Sequence, residues 1–215
     1  MPVNDGRVRA MTIADVAPVV LVHLAAFPSF FLSRLGARFL TLFYLGLLGD
    51  PSGIALVYTS AENSLCGFVG GAMDPGGFYS RLRRRQWWRF GLAVVPVILR
   101  APSTLKRILR GSAQATATAR DVRSAGLFSL GVDPATQGRG AWAGLVDAFV
   151  EAVRTRSGTS IVLTTDAHGN EAVNRFYVAR GFTLSQNYQT AEGRVMHEYR
   201  LSLGVTPPTM VASCR

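Results

Sequence analysis

Between Val132 and Trp142 the chain reads VDPATQGRGAW: an apolar run stops at Asp133-Pro134, two glycines flank Arg139, and helical spacing then resumes. A strand handing over to a helix here leaves the first backbone N–H groups of the helix without internal partners, and such donors take an anion. Gly138 and Gly140 remove the Cβ atoms that would hold a phosphate away. The helix dipole adds partial positive charge, and Arg139 supplies a full one. The chemistry on offer is the grip of a phosphate. No Gly-Lys-Ser/Thr of a nucleotide P-loop is present, nor the third glycine of the dinucleotide fingerprint, so a different phosphate-bearing cofactor is wanted. By itself the turn fits a plain strand-to-helix connection equally well.

Some thirty residues on, LTTDAHGNEAVNRFYVARGF closes a strand and opens a helix that carries Asn170, Asn174 and Tyr177 before Gly181-Phe182. The two stretches, in this order, resemble the GNAT superfamily of acetyl-CoA-dependent N-acetyltransferases, whose loop after the fourth strand runs Gln/Arg-x-x-Gly-x-Gly/Ala. Gln137, Gly138, Arg139 and Gly140 carry the likeness, with Val132-Asp133-Pro134 leading in; Trp142 departs from it, standing where the family prefers glycine or alanine. The resemblance implies an α/β chain of the α+β type, with a mixed, mostly antiparallel central sheet flanked by helices. It implies acetyl-CoA as co-substrate, an amine as acceptor, and no metal. Carried over, Leu130 and Val132 line the pantetheine arm, while Gln137, Gly138, Arg139, Gly140 and Ala141 hold the pyrophosphate. Asn170 bonds the pantetheine, and Asn174, one turn on, either joins it or serves packing and capping.

Acetyl transfer needs a neutral amine aimed at the thioester carbonyl and a proton for the departing thiolate. Tyr177 matches the family's acid; its plain alternative is a core aromatic beside Phe176. Many family members carry a glutamate early in the fourth strand, but the corresponding residue here is Gly126, which leaves the base unassigned. Asp166 and His168 are candidates, although a loop Asp and His before Gly169 also read as helix caps, and His23 and His197 read as structural.

These residues need elements to position them. Thr12 and Asp15 resemble a capping box for a first helix carrying Ile13, Val16, Val20 and Leu24, and Pro28-Ser29 opens a second helix that runs to Gly49-Asp50-Pro51. Ile54 to Tyr58 and Leu65 to Gly71 form a hairpin. Leu127 to Val132 is a strand, Ala143 to Val153 a helix, Ile161 to Thr165 a strand and Glu171 to Ala179 a helix; Phe182 to Tyr188 then pairs with Val195 to Leu201. A single domain spans 1–203, with a disordered tail over 204–215.

The net charge of +10 is local: residues 75–120 hold ten basic residues and no acidic one. This segment reads as a helical basic insert between the third and fourth strands. Arg81, Arg83, Arg84, Arg85 and Arg89 surround Trp87 and Trp88, and Lys106, Arg107 and Arg110 follow an apolar run around Pro96. It suits a peripheral membrane or other anionic surface contacted through 81–110, a phosphate-bearing acceptor, single-stranded nucleic acid, or a solvated lid, while the neutral charge balance elsewhere argues against nucleic acid as the general partner. Cys66 and Cys214 are too few for a disulfide framework, and no signal peptide or membrane span is apparent, so a cytoplasmic location is expected. The acceptor is a small amine, an amino sugar nucleotide or a protein amine. The competing readings are a catalytically degenerate GNAT-fold module that binds coenzyme A and a binder of anionic surfaces.

Overall fold

The computed structural model describes residues 6–28, 30–100, 124–136, 140–190 and 193–204. The loop residues Gln137, Gly138 and Arg139 expected to hold the pyrophosphate, the later part of the basic segment (101–120) and the tail from 205 lie outside them. Seven strands form one sheet in the order β1-β2-β3-β4-β5-β7-β6. They are β1 (Arg7–Ala10), β2 (Gly53–Thr59), β3 (Leu65–Ala72), β4 (Ser124–Val132), β5 (Ser160–Asp166), β6 (Thr183–Gln189) and β7 (Val195–Ser202). All neighbours run antiparallel except β4 and β5, which gives the mixed, mostly antiparallel sheet expected. The short edge strand β1 escapes sequence pattern because its charged Arg7 and Arg9 alternate with only two apolar residues.

The helices are α1 (Val16–Ala26), α2 (Phe31–Arg34), α3 (Ala37–Leu48), α4 (Pro75–Arg100), α5 (Ala141–Thr155) and α6 (Glu171–Ala179). The single helix expected between Pro28 and Leu48 is two, because Gly36 sits at φ +88, a left-handed conformation that breaks the ladder and that glycine adopts without a Cβ penalty. On one face of the sheet, Leu145, Phe149 and Val153 of α5 pack with Val69, Leu130 and Ile161, and Tyr177 of α6 joins them. On the other face, Val19, Leu40, Phe43, Tyr44 and Phe78 from α1, α3 and α4 cover Val57 and Phe68.

The basic helix α4 is fastened to the body by one of its own arginines. Arg81 gives Nε to Asp50 Oδ2 at 2.7 Å and Nη2 to Asp50 Oδ1 at 2.9 Å, while Nη1 reaches Asp74 at 3.0 Å. Ser52 adds two further donors to Asp50, and the pairing pulls this carboxyl down to about 2. The Asp50 side chain is only 4% exposed. Breaking a buried pair costs about 3–5 kcal/mol against at most ~1 kcal/mol for a surface one, so Arg81 anchors the helix rather than offering charge to a partner.

His23 also does more than fill space. Its Nδ1 lies 2.7 Å from Tyr44 Oη, which in turn lies 3.2 Å from Ser129 Oγ on β4. The ring stacks on Phe68 at 5.8 Å, and burial pushes its pKa down to about 4. Above pH ~6.5 both the folded and unfolded chains carry a neutral imidazole. As pH falls from there to about 4, only the unfolded chain takes the proton, so folded stability falls, by up to ~3 kcal/mol in all. Urea unfolding between pH 7 and pH 4 should show this loss, and His23→Gln should flatten the dependence across that interval even though its stability at pH 7 is lower.

Candidate active site

Beta pairing between β4 and β5 covers only their first halves, from Ser124↔Ser160 to Leu127↔Leu163. Beyond it β4 runs on to Val132 beside β3 alone, and β5 runs on to Asp166 beside β7 alone. The cause is local. Gly70 pairs with Ser129 and Gly71 with Leu127, so Phe128 is an extra residue in β4, a bulge that bends the strand where its parallel partner is lost. Phe128 and Ser129 both turn to the α1–α3–α4 face, Phe128 stacking on Phe78 at 5.3 Å and Ser129 bonding Tyr44. The two strands therefore open as a V from residues 127 and 163.

One arm of the V presents main-chain groups. Asp133 N–H donates to Cys66 C=O at 2.8 Å. By the two-residue alternation of a strand, Gly131 turns its N–H and C=O to β3, whereas Leu130 and Val132 turn theirs into the gap. The side chains of Leu130 and Val132 are buried in the core, so what these two residues offer a ligand is backbone. At the end of β4, Gly140 caps α5 at φ +75, a left-handed position suited to glycine, with no side-chain cap. The first internal bond of that helix runs from Gly144 N–H to Gly140 C=O at 3.1 Å, which leaves the N–H groups of Ala141, Trp142 and Ala143 as the helix's open donors. A phosphate-bearing arm laid along β4 arrives at these donors, with the helix dipole behind them.

The other arm of the V is served by α6, where Asn170, Asn174 and Tyr177 fall at i, i+4 and i+7 on one stripe. Asn170 Nδ2 bonds Thr165 Oγ1 on β5. Asn174 Nδ2 holds the carbonyl of Asp166 at 3.1 Å, and its Oδ1 is buried without a partner, an acceptor that an amide N–H of a pantetheine would satisfy. Tyr177 is buried against Phe176, Phe182 and Tyr199, and burial pushes its phenol well above the ordinary range. It therefore holds its proton at neutral pH. Trp142 turns onto Phe176, with ring centroids 5.7 Å apart, and so braces α5 against α6; Arg180 and Asp147 pair across the same two helices. On the opposite face a cavity of about 90 Å³ sits over the apex of the V, lined by Pro75, Tyr79, Gly126, Phe128, Val162 and Thr164 among others.

Residues 106–182 match the model of the acetyltransferase (GNAT) family. This stretch, which holds β4, α5, β5 and α6, is similar to a GNAT acetyltransferase domain. Domains of this class transfer acetyl groups from acetyl-CoA to amines. No curated protein matches the chain. Among solved structures it is similar to Ard1 from Thermoplasma volcanium, at 16% identity over 93% of this chain and 98% of that one, with a TM-score of 0.59. It is similar to the PaiA N-acetyltransferase of Thermoplasma acidophilum in complex with coenzyme A, at 11% identity over 91% and 99%, TM-score 0.57. The spermidine/spermine N-acetyltransferase SpeG of Vibrio cholerae is a third, at 14% identity over 92% of each chain, TM-score 0.56. These likenesses are of fold.

The place of the strand glutamate that the resemblance leads one to look for is taken physically as well as in sequence. A Cβ on Gly126 would lie 2.7 Å from Cγ of Pro75, the first residue of α4, so α4 fills the space a longer side chain would need. Asp166 is engaged by Arg194, whose Nη2 lies 2.6 and 2.7 Å from its two oxygens. His168 is exposed at the turn before Gly169. His197 gives its Nδ1 contact to Asn187 at 2.6 Å and stands apart from the cavity residues. One buried carboxylate that sequence reading passed over, Glu198, lies on β7 with its Cα paired to Thr164. In the sequence it is simply a polar residue within an alternating strand, and only the register of β5 with β7 brings it to the cavity side.

Proposed function

We propose that this chain transfers the acetyl group of acetyl-CoA to a primary amine by direct attack, with the pantetheine arm in the β4–β5 opening and the diphosphate on the open amides of α5. The observation that carries the reading is the V itself: two adjacent strands part at residues 127 and 163, and the unpaired main-chain groups of Leu130 and Val132 line the gap. An extended amide-bearing arm there restores the strand pairing that β5 gives up. Gln137, Gly138 and Arg139 complete the diphosphate site in this reading. Asn174, with its unpartnered Oδ1, and Asn170 meet the pantetheine amides.

The amine attacks the thioester carbonyl, a C–N bond forms and the C–S bond breaks. Tyr177 gives its proton to the thiolate and regains one from the acylated nitrogen, so the proton lost by the amine ends on sulfur and the products are an N-acetylated amine and the free thiol of coenzyme A. The cavity over the apex, lined by Pro75, Tyr79, Gly126, Phe128, Val162 and Thr164, is where the amine-bearing end of the acceptor enters in this reading. SpeG, a structure of similar fold, is a spermidine/spermine N-acetyltransferase, which supports an acceptor with a slender aminoalkyl end. The buried, unbridged thiol of Cys66 suits a reducing, cytoplasmic setting.

Release of coenzyme A thiol across a panel of primary amines tests the reading. Tyr177→Phe should lower kcat by about 100-fold or more while leaving the thermal shift given by coenzyme A nearly unchanged. Coenzyme A binding without turnover of any amine would instead favour a degenerate binding module, a reading that the blocked Gly126 site supports.

For α4 we infer a contact with an anionic surface. Arg84, Arg85 and Arg89 are exposed beside Trp88, which is 53% exposed, and Leu92, which is 65% exposed, so charge and apolar area are presented together. No helix among the described residues is long and apolar enough to cross a membrane. Vesicles rich in phosphatidylserine should sediment the protein at low salt and release it at high salt, and an R84E/R85E/R89E variant should not sediment; equal retention of both proteins would overturn the contact.

A further inference from the structure

Resting on the acetyl-transfer reading, we propose that Glu198, with Tyr188 and Thr164, forms the site that receives the acceptor as an ammonium ion, and that Glu198 takes up the proton the amine sheds before it attacks. The first observation is one of sides. Tyr199 touches Tyr177, with ring centroids 6.2 Å apart, on the α5–α6 face, so its chain neighbour Glu198 projects through the opposite face, where the cavity lies. The sulfur's proton donor and the amine's proton acceptor then stand on opposite sides of the sheet, as attack on one side and departure on the other require.

The second observation is one of position. Glu198 pairs with Thr164 across β5 and β7, and Thr164 lines the cavity at the apex of the V. Directly opposed residues on one face have Cβ atoms about 5 Å apart. Tyr188, on β6 with its Cα paired to Met196, shares this face; burial raises its phenol, and Thr164 and the charge of Glu198 lie close enough to act on it as well, so the three side chains cluster on the cavity's face of the sheet.

The third observation is one of charge. Glu198 is only 4% exposed, and its oxygens accept Ser185 Oγ at 2.8 Å and Gln186 Nε2 at 2.9 Å, both neutral donors. Among the described residues it has no ion-pair partner. The charged groups around it are committed elsewhere: Arg194 is matched by Asp166, and Arg200 Nη1 points to Ser124 and Ser160 at 3.3 and 3.2 Å. A carboxylate takes about four hydrogen bonds, so acceptor capacity remains. A buried carboxylate without a counter-ion is costly, and a substrate ammonium supplies that counter-ion. The balance is simple: R–NH3+ passes one proton to the Glu198 carboxylate, directly or through one water, the freed lone pair forms the C–N bond, and the carboxylic acid returns the proton to solvent after the thiol leaves.

The inferred substrate class is a compact primary amine that is cationic in solution. The test compares ethylamine, an ammonium at neutral pH, with 2,2,2-trifluoroethylamine, which has nearly the same shape and is uncharged there. For Glu198→Gln, kcat/KM for ethylamine should fall by about 100-fold, whereas that for trifluoroethylamine should fall by no more than about threefold. The thermal shift with coenzyme A should match the wild type. Equal losses on both amines, or no loss on either, would overturn the assignment. If Glu198→Gln does not fold, Glu198→Asp is read by the same two-amine ratio. A wild-type protein that binds coenzyme A but acetylates neither probe would overturn the substrate class and leave the cofactor site standing; one that does not bind coenzyme A would overturn the acetyl-transfer reading itself.

Discussion

The parting of β4 from β5 is the constraint on which the rest of the site depends. Two parallel strands that stayed paired to their ends would satisfy their own main-chain groups and leave nothing for a ligand. Here the bulge at Phe128 turns β4 away after Leu127, and the aromatic packing of Phe128 on Phe78 holds the bend in place. The core on both faces supports the opening: α5 and α6 flank it on one side, braced by Trp142 on Phe176, and α1, α3 and α4 flank the other. What a ligand meets is rigid backbone, with side chains used sparingly.

That arrangement divides the chemistry between the two faces. The face of α5 and α6 carries the open helix amides, the two asparagines and Tyr177, groups suited to a long phosphate-bearing thioester and to its departing sulfur. The face of α4 carries the cavity, with Pro75 seated over Gly126 and the cluster of Thr164, Tyr188 and Glu198 beside it. Helix α4 thus acts twice, removing the space in which a strand glutamate would stand and closing one wall of the cavity. Its attachment through Arg81 and buried Asp50 keeps that wall fixed while the outer arginines remain at the surface.

Much of this was legible in the residues. Glycine and proline punctuation marked the turn after β4, and helical periodicity gave α6 the bounds Glu171 to Ala179 that the structure has, because both signals are local in the chain. Tyr177 and the asparagines followed from the resemblance of that one helix to the GNAT family's final helix. The features that escaped depend on partners distant in sequence. The bulge at Phe128 exists only relative to β3, the block at Gly126 only relative to Pro75, and the placement of Glu198 only through the register of β7 on β5. The split of the second helix at Gly36 was visible in principle, but an isolated glycine in an apolar stripe is compatible with an unbroken helix.

The account comes down to whether the opened half of β4 receives the acyl carrier. Amide hydrogen exchange, followed residue by residue with and without coenzyme A, measures this directly. The account predicts strong added protection at the N–H groups of Leu130, Val132 and Ala141 to Ala143, with Gly131, already bonded to β3, changing little. Binding of coenzyme A that leaves Leu130 and Val132 exchanging as fast as in the free protein would contradict it.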